Sequence, residues 1–244
     1  MLRRARLAVP IGPRLMSQGP VRKAHPDIMR RERPTKVAAL RTIKIIIYDC
    51  DGVLIDSREA NRAFYNDILT RFGLARLYEE QLDFVQAATS GQALDVLFQG
   101  HPRRQEAQAY QLVLDNETYL SLLSLEPHIR ETLTALRPPY LTAVATNRGR
   151  SLDLALQHFH LENLFDLTIS SYQVSHPKPH PECLLKILEH FRLRPEEALY
   201  IGDSRVDLLV SQQAGVPFAA YKNPRLEARY HLEDHLELLQ VLAE

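Results

Sequence analysis

The sequence is poor in cysteine, with only Cys50 and Cys183 among its 244 residues. Two cysteines cannot form a disulfide framework, and these two lack the close spacing of a thiolate metal site. No stretch reaches the roughly 18 consecutive apolar residues of a membrane-spanning helix, and the N-terminus lacks the apolar centre of a secretory signal. These absences favour a soluble, cytoplasmic protein that folds in a reducing compartment and has no membrane partner.

Neither sign of charge is in excess over the whole chain, because 30 Lys and Arg residues balance 30 Asp and Glu residues. Apolar residues make up 45% of the sequence. These values are ordinary for a globular protein and exclude a disordered or collagen-like chain for most of the length. The length permits one large domain or a core with a smaller module. The balance nevertheless hides an asymmetry, because residues 1–41 contain eleven basic and two acidic residues and carry a net charge of +9.

The basic segment, residues 1–41, has five prolines and no sustained periodicity, which predicts a flexible arm. Three interpretations of this arm stay open. Met16 and Met29 permit an over-extended gene start, whereas the Arg-rich, acid-poor composition permits an organelle-targeting peptide, although Ser17 is its only serine. A tether to nucleic acid or to a membrane rests on charge alone and has the least support.

From residue 42 onward, short apolar strands alternate with longer helical patterns. Strands are predicted at 43–49, 140–147, 165–170, 198–203 and 217–222, and helices are predicted from Ser151, Pro181 and Arg205. Near-continuous apolar strands are typical of a parallel sheet that is covered on both faces. The predicted fold class is therefore α/β, with a Rossmann-like, doubly wound parallel sheet. The last 18 residues, from Glu227, predict an amphipathic closing helix.

Residues 58–124 break this alternation with three helical patterns and no convincing strand. They predict an all-helical cap inserted after the first strand of a core that comprises residues 42–57 and 125–244. An insertion at this point would lie over the carboxyl ends of the strands, where open α/β sheets bind ligands. We therefore expect the cap to act as a lid.

Polar residues follow several predicted strands at the edge where parallel strands end, namely Asp49, Asp51, Thr146, Asn147, Lys178, Asp203 and Asp207. A single Asp at a strand end is usually a helix cap or a turn former. Several carboxylates at one edge would repel one another unless a cation neutralised them, and oxygen ligands point to Mg²⁺. Lys178 and the hydroxyl of Thr146 would suit an anionic substrate, for which phosphate is the obvious candidate.

The motifs DCDGVLIDS from Asp49, ATN from Ala145, KPHPE from Lys178 and GDSRVD from Gly202 occur in this order. They resemble the haloacid dehalogenase superfamily, in particular the capped branch that includes phosphoglycolate phosphatase, over residues 43–223. The resemblance implies a Mg²⁺-dependent phosphatase that hydrolyses a small organophosphate monoester, phosphoglycolate-like or a sugar phosphate. The reaction would pass through an aspartyl-phosphate intermediate, and the partner would be a small phosphorylated metabolite.

The resemblance also implies catalytic roles. Asp49 would be the nucleophile that attacks phosphorus. Asp51 would protonate the leaving alkoxide and then activate water. Thr146 would hydrogen-bond the transferring phosphoryl group with Asn147 beside it, and Lys178 would neutralise charge on both the nucleophile and the phosphoryl group.

The metal ligands implied by the resemblance are Asp49, the backbone carbonyl of Asp51, Asp203, and Asp207 directly or through water. Gly52 would permit the sharp bend of the backbone behind the nucleophile.

Single residues narrow the function within the superfamily. Asp51 argues against a dehalogenase, which lacks this second Asp. The absence of any Lys between Lys44 and Lys178 removes the Schiff-base group that a phosphonoacetaldehyde hydrolase needs. A phosphomutase of the β-phosphoglucomutase type, a pyrophosphatase and a nucleotidase stay compatible, although Thr146 followed by Asn147 resembles the phosphatases more. A non-catalytic binding protein with a basic arm is the alternative from a different class.

Substrate choice is expected to lie in the cap, whose first candidates are the polar residues Arg58, Arg62, Gln86, Thr89, Ser90 and Gln92. His176 and His180 flank Lys178, but they lack the further ligands and regular spacing of a transition-metal site. They are interpreted as surface loop residues.

Overall fold

A computed structural model describes residues 43–243. The predicted arm, residues 1–41, lies outside this range. Within it, no helix combines the length and the apolarity that crossing a membrane requires.

Eight strands are found in the described range. They are β1 (Ile45–Tyr48), β2 (Ile55–Asp56), β3 (Ser124–Leu125), β4 (Leu141–Ala145), β5 (Leu167–Ile169), β6 (Ala198–Gly202), β7 (Phe218–Tyr221) and β8 (Tyr230–Leu232). Six of them form one sheet in the order β5-β4-β1-β6-β7-β8, and all of its pairings are parallel. The strand β1 therefore lies inside the sheet, between β4 and β6.

Apolar packing on both faces explains this sheet. Every residue of β1 is buried, and successive side chains point to opposite faces. Ile46 and Tyr48 belong to one apolar cluster, and Ile45 and Ile47 belong to another on the opposite face. A strand with two buried faces needs apolar residues at every position, which is the pattern that the sequence shows. The predicted fold class is confirmed.

Nine α-helices occur in residues 43–243. They are α1 (Arg58–Arg71), α2 (Glu79–Ala87), α3 (Ser90–Leu97), α4 (Arg104–Gln111), α5 (Ile129–Leu136), α6 (Ser151–His158), α7 (Glu182–Phe191), α8 (Arg205–Ala214) and α9 (Leu236–Ala243). The first four, with a 3₁₀ helix at Asn116–Leu122, form the segment that we call the helical insert, residues 58–124.

The helical insert has an apolar cluster of its own, which includes Tyr65, Ile68, Leu82, Leu94 and Phe98. At its two ends, β2 and β3 pair antiparallel, with Ile55 opposite Leu125. The chain therefore leaves and re-enters the core at one place. That the insert behaves as a separate, mobile cap stays a prediction.

The C-terminal prediction is wrong in part. The segment from Glu227 does not form one helix, because Tyr230–Leu232 pairs with β7 as strand β8 and α9 begins only at Leu236. In β8 two buried residues flank the exposed His231, which is the alternation of a half-buried strand. The side chain of Asp234 then accepts a hydrogen bond from the backbone N–H of Leu236 and stabilises the start of the helix.

The fully buried His235 is expected to make the fold sensitive to acid. Its Nε2 lies 2.7 Å from the Val53 carbonyl oxygen, its ring stacks on Tyr221, and its buried Nδ1 has no hydrogen-bond partner among the described residues. Burial lowers the pKa of His235 from its ordinary 6.5 to about 4. Between pH 6.5 and about pH 4, His235 takes up a proton in the unfolded chain but not in the folded chain. The free energy of unfolding therefore decreases as the pH falls, by up to about 3 kcal/mol.

Urea unfolding at pH 7.5 and pH 5 measures this loss. The variant His235→Gln can still donate to the Val53 carbonyl but cannot titrate, so its free energy of unfolding should fall less over the same interval. Equal pH dependence in the two proteins would contradict this role of His235.

Candidate active site

The predicted polar residues meet at the carboxyl edge of the sheet. Asp49 follows β1, Thr146 follows β4 and Asp203 follows β6, and these three strands are neighbours in the sheet. Lys178 comes from the loop between β5 and α7, and Asp207 lies in the first turn of α8. Parallel strands end at the same edge, which is why residues far apart in sequence come together here.

Lys178 is the buried centre of this cluster, with 3% of its surface exposed. Its Nζ lies 2.9 Å from Asp49 Oδ1 and 2.6 Å from Asp207 Oδ1, and it donates to the hydroxyl of Tyr200. Burial opposes the charge of Lys178, but Asp207 and Asp49 outweigh this effect and hold its pKa above the ordinary value. One ammonium therefore joins two carboxylates that come from different elements.

When all three are ionised, the carboxylates of Asp49, Asp203 and Asp207 carry more negative charge than the one ammonium of Lys178 neutralises. Asp49, Asp203 and Asp207 each offer an oxygen, and these oxygens lie within 4.8 Å of one another. Burial and the charge of Asp207 raise the pKa of Asp49 to about 7, and the same two causes raise that of Asp203. An oxygen-only ligand set with surplus negative charge fits a hard divalent cation such as Mg²⁺.

Asp207 is held in place from several sides. At the start of α8, its Oδ2 accepts hydrogen bonds from the backbone N–H and the hydroxyl of Ser204, and its own N–H donates to that hydroxyl. The hydroxyl of Tyr200 lies 2.7 Å from Asp207 Oδ1. Burial opposes ionisation of Asp207, but Lys178 and these hydrogen bonds hold its pKa below the ordinary value. Asp207 therefore stays ionised in a fixed position.

Gly52 brings the backbone behind Asp49 against Asp203. It has a φ of +79°, and a Cβ at this position would lie under 3 Å from Asp203 Oδ2. We expect Gly52→Ala to displace the Asp203 carboxylate and to weaken Mg²⁺ binding by about 10-fold or more, as changes around metal ligands commonly do. Isothermal titration calorimetry with Mg²⁺ measures the affinity.

Gly73→Ala is the matched control. Gly73 has nearly the same φ, +76°, but a Cβ added there would meet nothing within 4 Å. Both variants should lose about 1 kcal/mol of stability through left-handed backbone strain, whereas only Gly52→Ala should bind Mg²⁺ more weakly. Equal Mg²⁺ affinity in the two variants would show that Gly52 does not support the cation site.

Asp51 lies apart from the three clustered carboxylates. Its Oδ1 forms an ion pair with Nη1 of Arg148, and the side chains of both residues are only 10% exposed. The motif ATN points to Thr146 and Asn147 but gives no sign that the basic residue that follows them belongs to the site. Arg148 reaches a residue 97 positions earlier in the chain, which only the packing of β4 beside β1 reveals.

Asn147 links the Lys178 loop to the helical insert. Its Nδ2 donates to the backbone carbonyls of Ala87 and Lys178, and its Oδ1 accepts from the N–H of Lys178. Both amide hydrogens are thus engaged, and Asn147 positions the loop in this conformation. Thr146 Oγ1 accepts from the Arg148 N–H and keeps its own hydroxyl hydrogen to donate. The predicted contacts of Thr146 and Asn147 with phosphate stay predictions.

Glu182 holds the other end of the Lys178 loop. Its carboxylate accepts from the backbone N–H groups of Ser175 and His176, at 2.9 Å each, and lies 3.1 Å from Lys186 Nζ. His176 and His180 are exposed loop residues, and together with Glu182 they form a second group of possible ligand atoms. The contacts of Glu182 fix the loop that presents Lys178.

A cavity of about 100 Å³ lies between the core and the helical insert. Its wall includes Asp51 and Arg148 from the core, and Gln86 and Ser90 from the insert. These last two were among the six insert residues expected to select the substrate.

Arg58 and Arg62 do not line this cavity, and a role for them in substrate choice stays a prediction. Arg58 forms ion pairs with Glu79 and Asp83, and Arg62 forms ion pairs with Glu59 and Glu79. Acidic residues of α1 and α2 therefore hold both guanidinium groups. Thr89 and Gln92 form the capping box of α3, which satisfies backbone N–H groups at its start.

A family model for haloacid dehalogenase-like hydrolases matches residues 46–221, which is more than half of the chain. The chain belongs to the haloacid dehalogenase-like hydrolase family. The matched range spans the strand ends described above and the helical insert between them. The resemblance of the four motifs to this superfamily is confirmed.

Several known proteins align with most of the chain. Pyrophosphatase PpaX of Bacillus cereus is 28% identical over 199 residues, which are 78% of this chain and 88% of the relative. A haloacid dehalogenase superfamily hydrolase of Geobacter sulfurreducens has a solved structure with 42% identity and a TM-score of 0.68, covering 82% of this chain and 97% of that one. The solved structure of a candidate phosphoglycolate phosphatase of Lactobacillus plantarum is 22% identical to this chain and has a TM-score of 0.73. The alignment covers 82% of this chain and 99% of that one, and it shows a shared fold.

Proposed function

We propose that this haloacid dehalogenase-like hydrolase is a Mg²⁺-dependent phosphatase that hydrolyses a small organophosphate monoester through an aspartyl-phosphate on Asp49. The observation that carries the proposal is the buried ammonium of Lys178, which lies between Asp49 and Asp207 at the carboxyl edge of the sheet. A positive charge beside a buried carboxylate suits a nucleophile whose substrate is an anion.

Asp49 would act as the nucleophile. Its Oδ1 accepts a hydrogen bond from the Cys50 N–H at 2.7 Å and lies 2.9 Å from Lys178 Nζ, which fixes the carboxylate at the end of β1. Its Oδ2 would then attack phosphorus, and the bond from phosphorus to the leaving oxygen would break. A divalent cation held by Asp49, Asp203 and Asp207 would keep Asp49 ionised and offset phosphoryl charge.

Asp51 would transfer the protons. It would give a proton to the leaving alkoxide when the aspartyl-phosphate forms, and it would take one from the water that attacks phosphorus in the second step. Its position in the wall of the cavity, two residues after the nucleophile, suits this exchange with the substrate. Lys178 and the Thr146 hydroxyl would stabilise the charge on the phosphoryl oxygens.

The size of the cavity favours a small substrate. About 100 Å³ is well below the roughly 300–1,000 Å³ of sites for drug-sized ligands. A phosphoglycolate-like compound or a sugar phosphate therefore suits this cavity better than a nucleotide does. The 28% identity to a pyrophosphatase supports pyrophosphate hydrolysis as a second candidate.

Release of inorganic phosphate by the purified chain tests the proposal. The substrates are phosphoglycolate, glucose 6-phosphate, β-glucose 1-phosphate and pyrophosphate, each measured with Mg²⁺ and with excess chelator. We expect chelator-sensitive release from at least one small monoester. Release from pyrophosphate alone would favour the second candidate, and isomerisation of β-glucose 1-phosphate without phosphate release would favour a mutase. No Mg²⁺-dependent reaction with any of them would contradict the proposed function.

A further inference from the structure

Arg148 brings a buried positive charge to the boundary between the core and the helical insert. Its side chain is 10% exposed, and Nη1 forms an ion pair with Asp51 Oδ1. The buried Nε has no hydrogen-bond partner among the described residues. A guanidinium has five N–H donors, and buried donors are nearly always satisfied. This guanidinium can therefore accept a further anionic partner.

The cavity beside Arg148 gives such a partner access. Arg148 and Asp51 lie in the same wall, and the facing residues of the helical insert include the neutral Asn61, Gln86 and Ser90. Asn147 Nδ2 donates to the carbonyl of Ala87 in the insert, so insert and core already contact each other beside this wall. A ligand that enters here meets Arg148 within reach of Asp51.

We propose that Arg148 binds a second anionic group of the substrate, a carboxylate or another phosphate, and that this group displaces Asp51 from the guanidinium. The inference rests on the proposed function, because Asp51 is the residue that would transfer protons there. While paired, the Asp51 carboxylate is directed toward Arg148. A second anion would compete for the same donors and release Asp51 to reach the leaving oxygen. Arg148 is thus a specificity-determining residue that also positions Asp51.

The chemistry of arginine supports this role. A guanidinium presents a planar pair of N–H groups that matches the two oxygens of a carboxylate or a phosphate. A substrate with a neutral tail would leave the Arg148–Asp51 pair intact and the Nε unpartnered. The substrate class inferred is therefore a phosphate ester or anhydride that carries a second negative group close to the transferring phosphoryl group.

Two substrates of nearly equal size test the inference. Phosphoglycolate carries a carboxylate where 2-hydroxyethyl phosphate carries a neutral alcohol. Pyrophosphate is the third substrate, and its second anionic group is a phosphate. In the wild type, kcat/KM should be roughly 10- to 100-fold higher for at least one of the two doubly anionic substrates than for 2-hydroxyethyl phosphate, as one charged hydrogen-bonded contact allows. The doubly anionic substrate with the higher kcat/KM identifies the second group as a carboxylate or a phosphate.

The variant Arg148→Gln should bring that ratio close to one, through a higher KM for the doubly anionic substrate and a higher kcat for 2-hydroxyethyl phosphate, because Asp51 is no longer paired. Arg194→Gln is the matched control, since Arg194 is exposed, pairs with Glu196 and Glu197, and does not line this cavity. Its ratio should stay at the wild-type value. Arg148→Lys, which keeps the charge without the planar fork, should retain an intermediate ratio.

Each remaining outcome has a defined meaning. A wild-type ratio near one overturns the inference without any variant, even if Arg148→Gln fails to fold. Equal losses on both kinds of substrate in a folded Arg148→Gln also overturn it, because they would indicate a purely structural ion pair. Both results leave the proposed function standing, provided that Mg²⁺-dependent phosphate release is seen. If no substrate releases phosphate, the proposed function and the inference fail together.

Discussion

Replacing Asp49 by Asn is expected to lower kcat by about 10⁴- to 10⁶-fold, the range seen when a catalytic nucleophile is removed. The amide has nearly the same shape but no negative charge, so it cannot attack phosphorus. It can still accept the hydrogen bonds from Cys50 and Lys178 that hold Oδ1 in place. The fold should therefore persist, and phosphate release under saturating Mg²⁺ and substrate measures the loss.

The matched control for this variant is Asp56→Asn. Asp56 is an exposed residue of β2 whose carboxylate accepts from the Arg58 N–H, away from the clustered carboxylates. Its kcat should stay within about 3-fold of the wild type, because surface substitutions rarely change the free energy by more than a few tenths of a kcal/mol. A folded Asp49→Asn protein with wild-type kcat would exclude Asp49 as the nucleophile.

Replacing Lys178 by Met is expected to destabilise the protein and to abolish catalysis. The change leaves Asp49 and Asp207 buried without their shared ammonium, and breaking a buried pair in this way costs about 3–5 kcal/mol. Added Mg²⁺ should recover part of the lost stability, since a cation bound by the same carboxylates would neutralise them. Urea unfolding with and without Mg²⁺ measures both effects.

Lys186→Met provides the comparison for Lys178→Met. Lys186 lies on α7, its side chain is 42% exposed, and it pairs with Glu182. Its loss should change the free energy of unfolding by less than about 1 kcal/mol, as exposed ion pairs contribute little. If Lys178→Met were as stable and as active as Lys186→Met, Lys178 would be needed neither for stability nor for catalysis.

The sequence predicts the sheet and the positions of its polar strand ends for a physical reason. Residues such as Ile47 in β1 and Ile201 in β6 must be apolar because both faces of the sheet are covered, and the first polar residue after each run marks the edge. Parallel pairing then brings Asp49, Thr146 and Asp203 to one edge, as the structure places them. The predicted roles of these residues are what the experiments above test.

Other features depend on tertiary contacts that local patterns do not encode. The pairing of Arg148 with Asp51 needs β4 beside β1, and the direction of Arg58 depends on how α2 packs against α1. The strand β8 was missed because Leu232 also fits the helical spacing of Leu236 and Leu239. The pairing of β8 with β7 decides between strand and helix. Local sequence patterns therefore predict most of the helices and strands on the two sides of the insert boundary. They do not predict which side chains pair across it.

Chemical trapping of the acyl phosphate tests the central claim most directly. The wild type is mixed with substrate and Mg²⁺, quenched within one turnover, and treated with borohydride, which reduces an aspartyl-phosphate to the alcohol. Peptide mass spectrometry should then find the Asp49 side chain converted to that of homoserine, with Asp51, Asp203 and Asp207 unchanged. Reduction at another carboxylate, or none in a preparation that releases phosphate, would contradict an aspartyl-phosphate on Asp49.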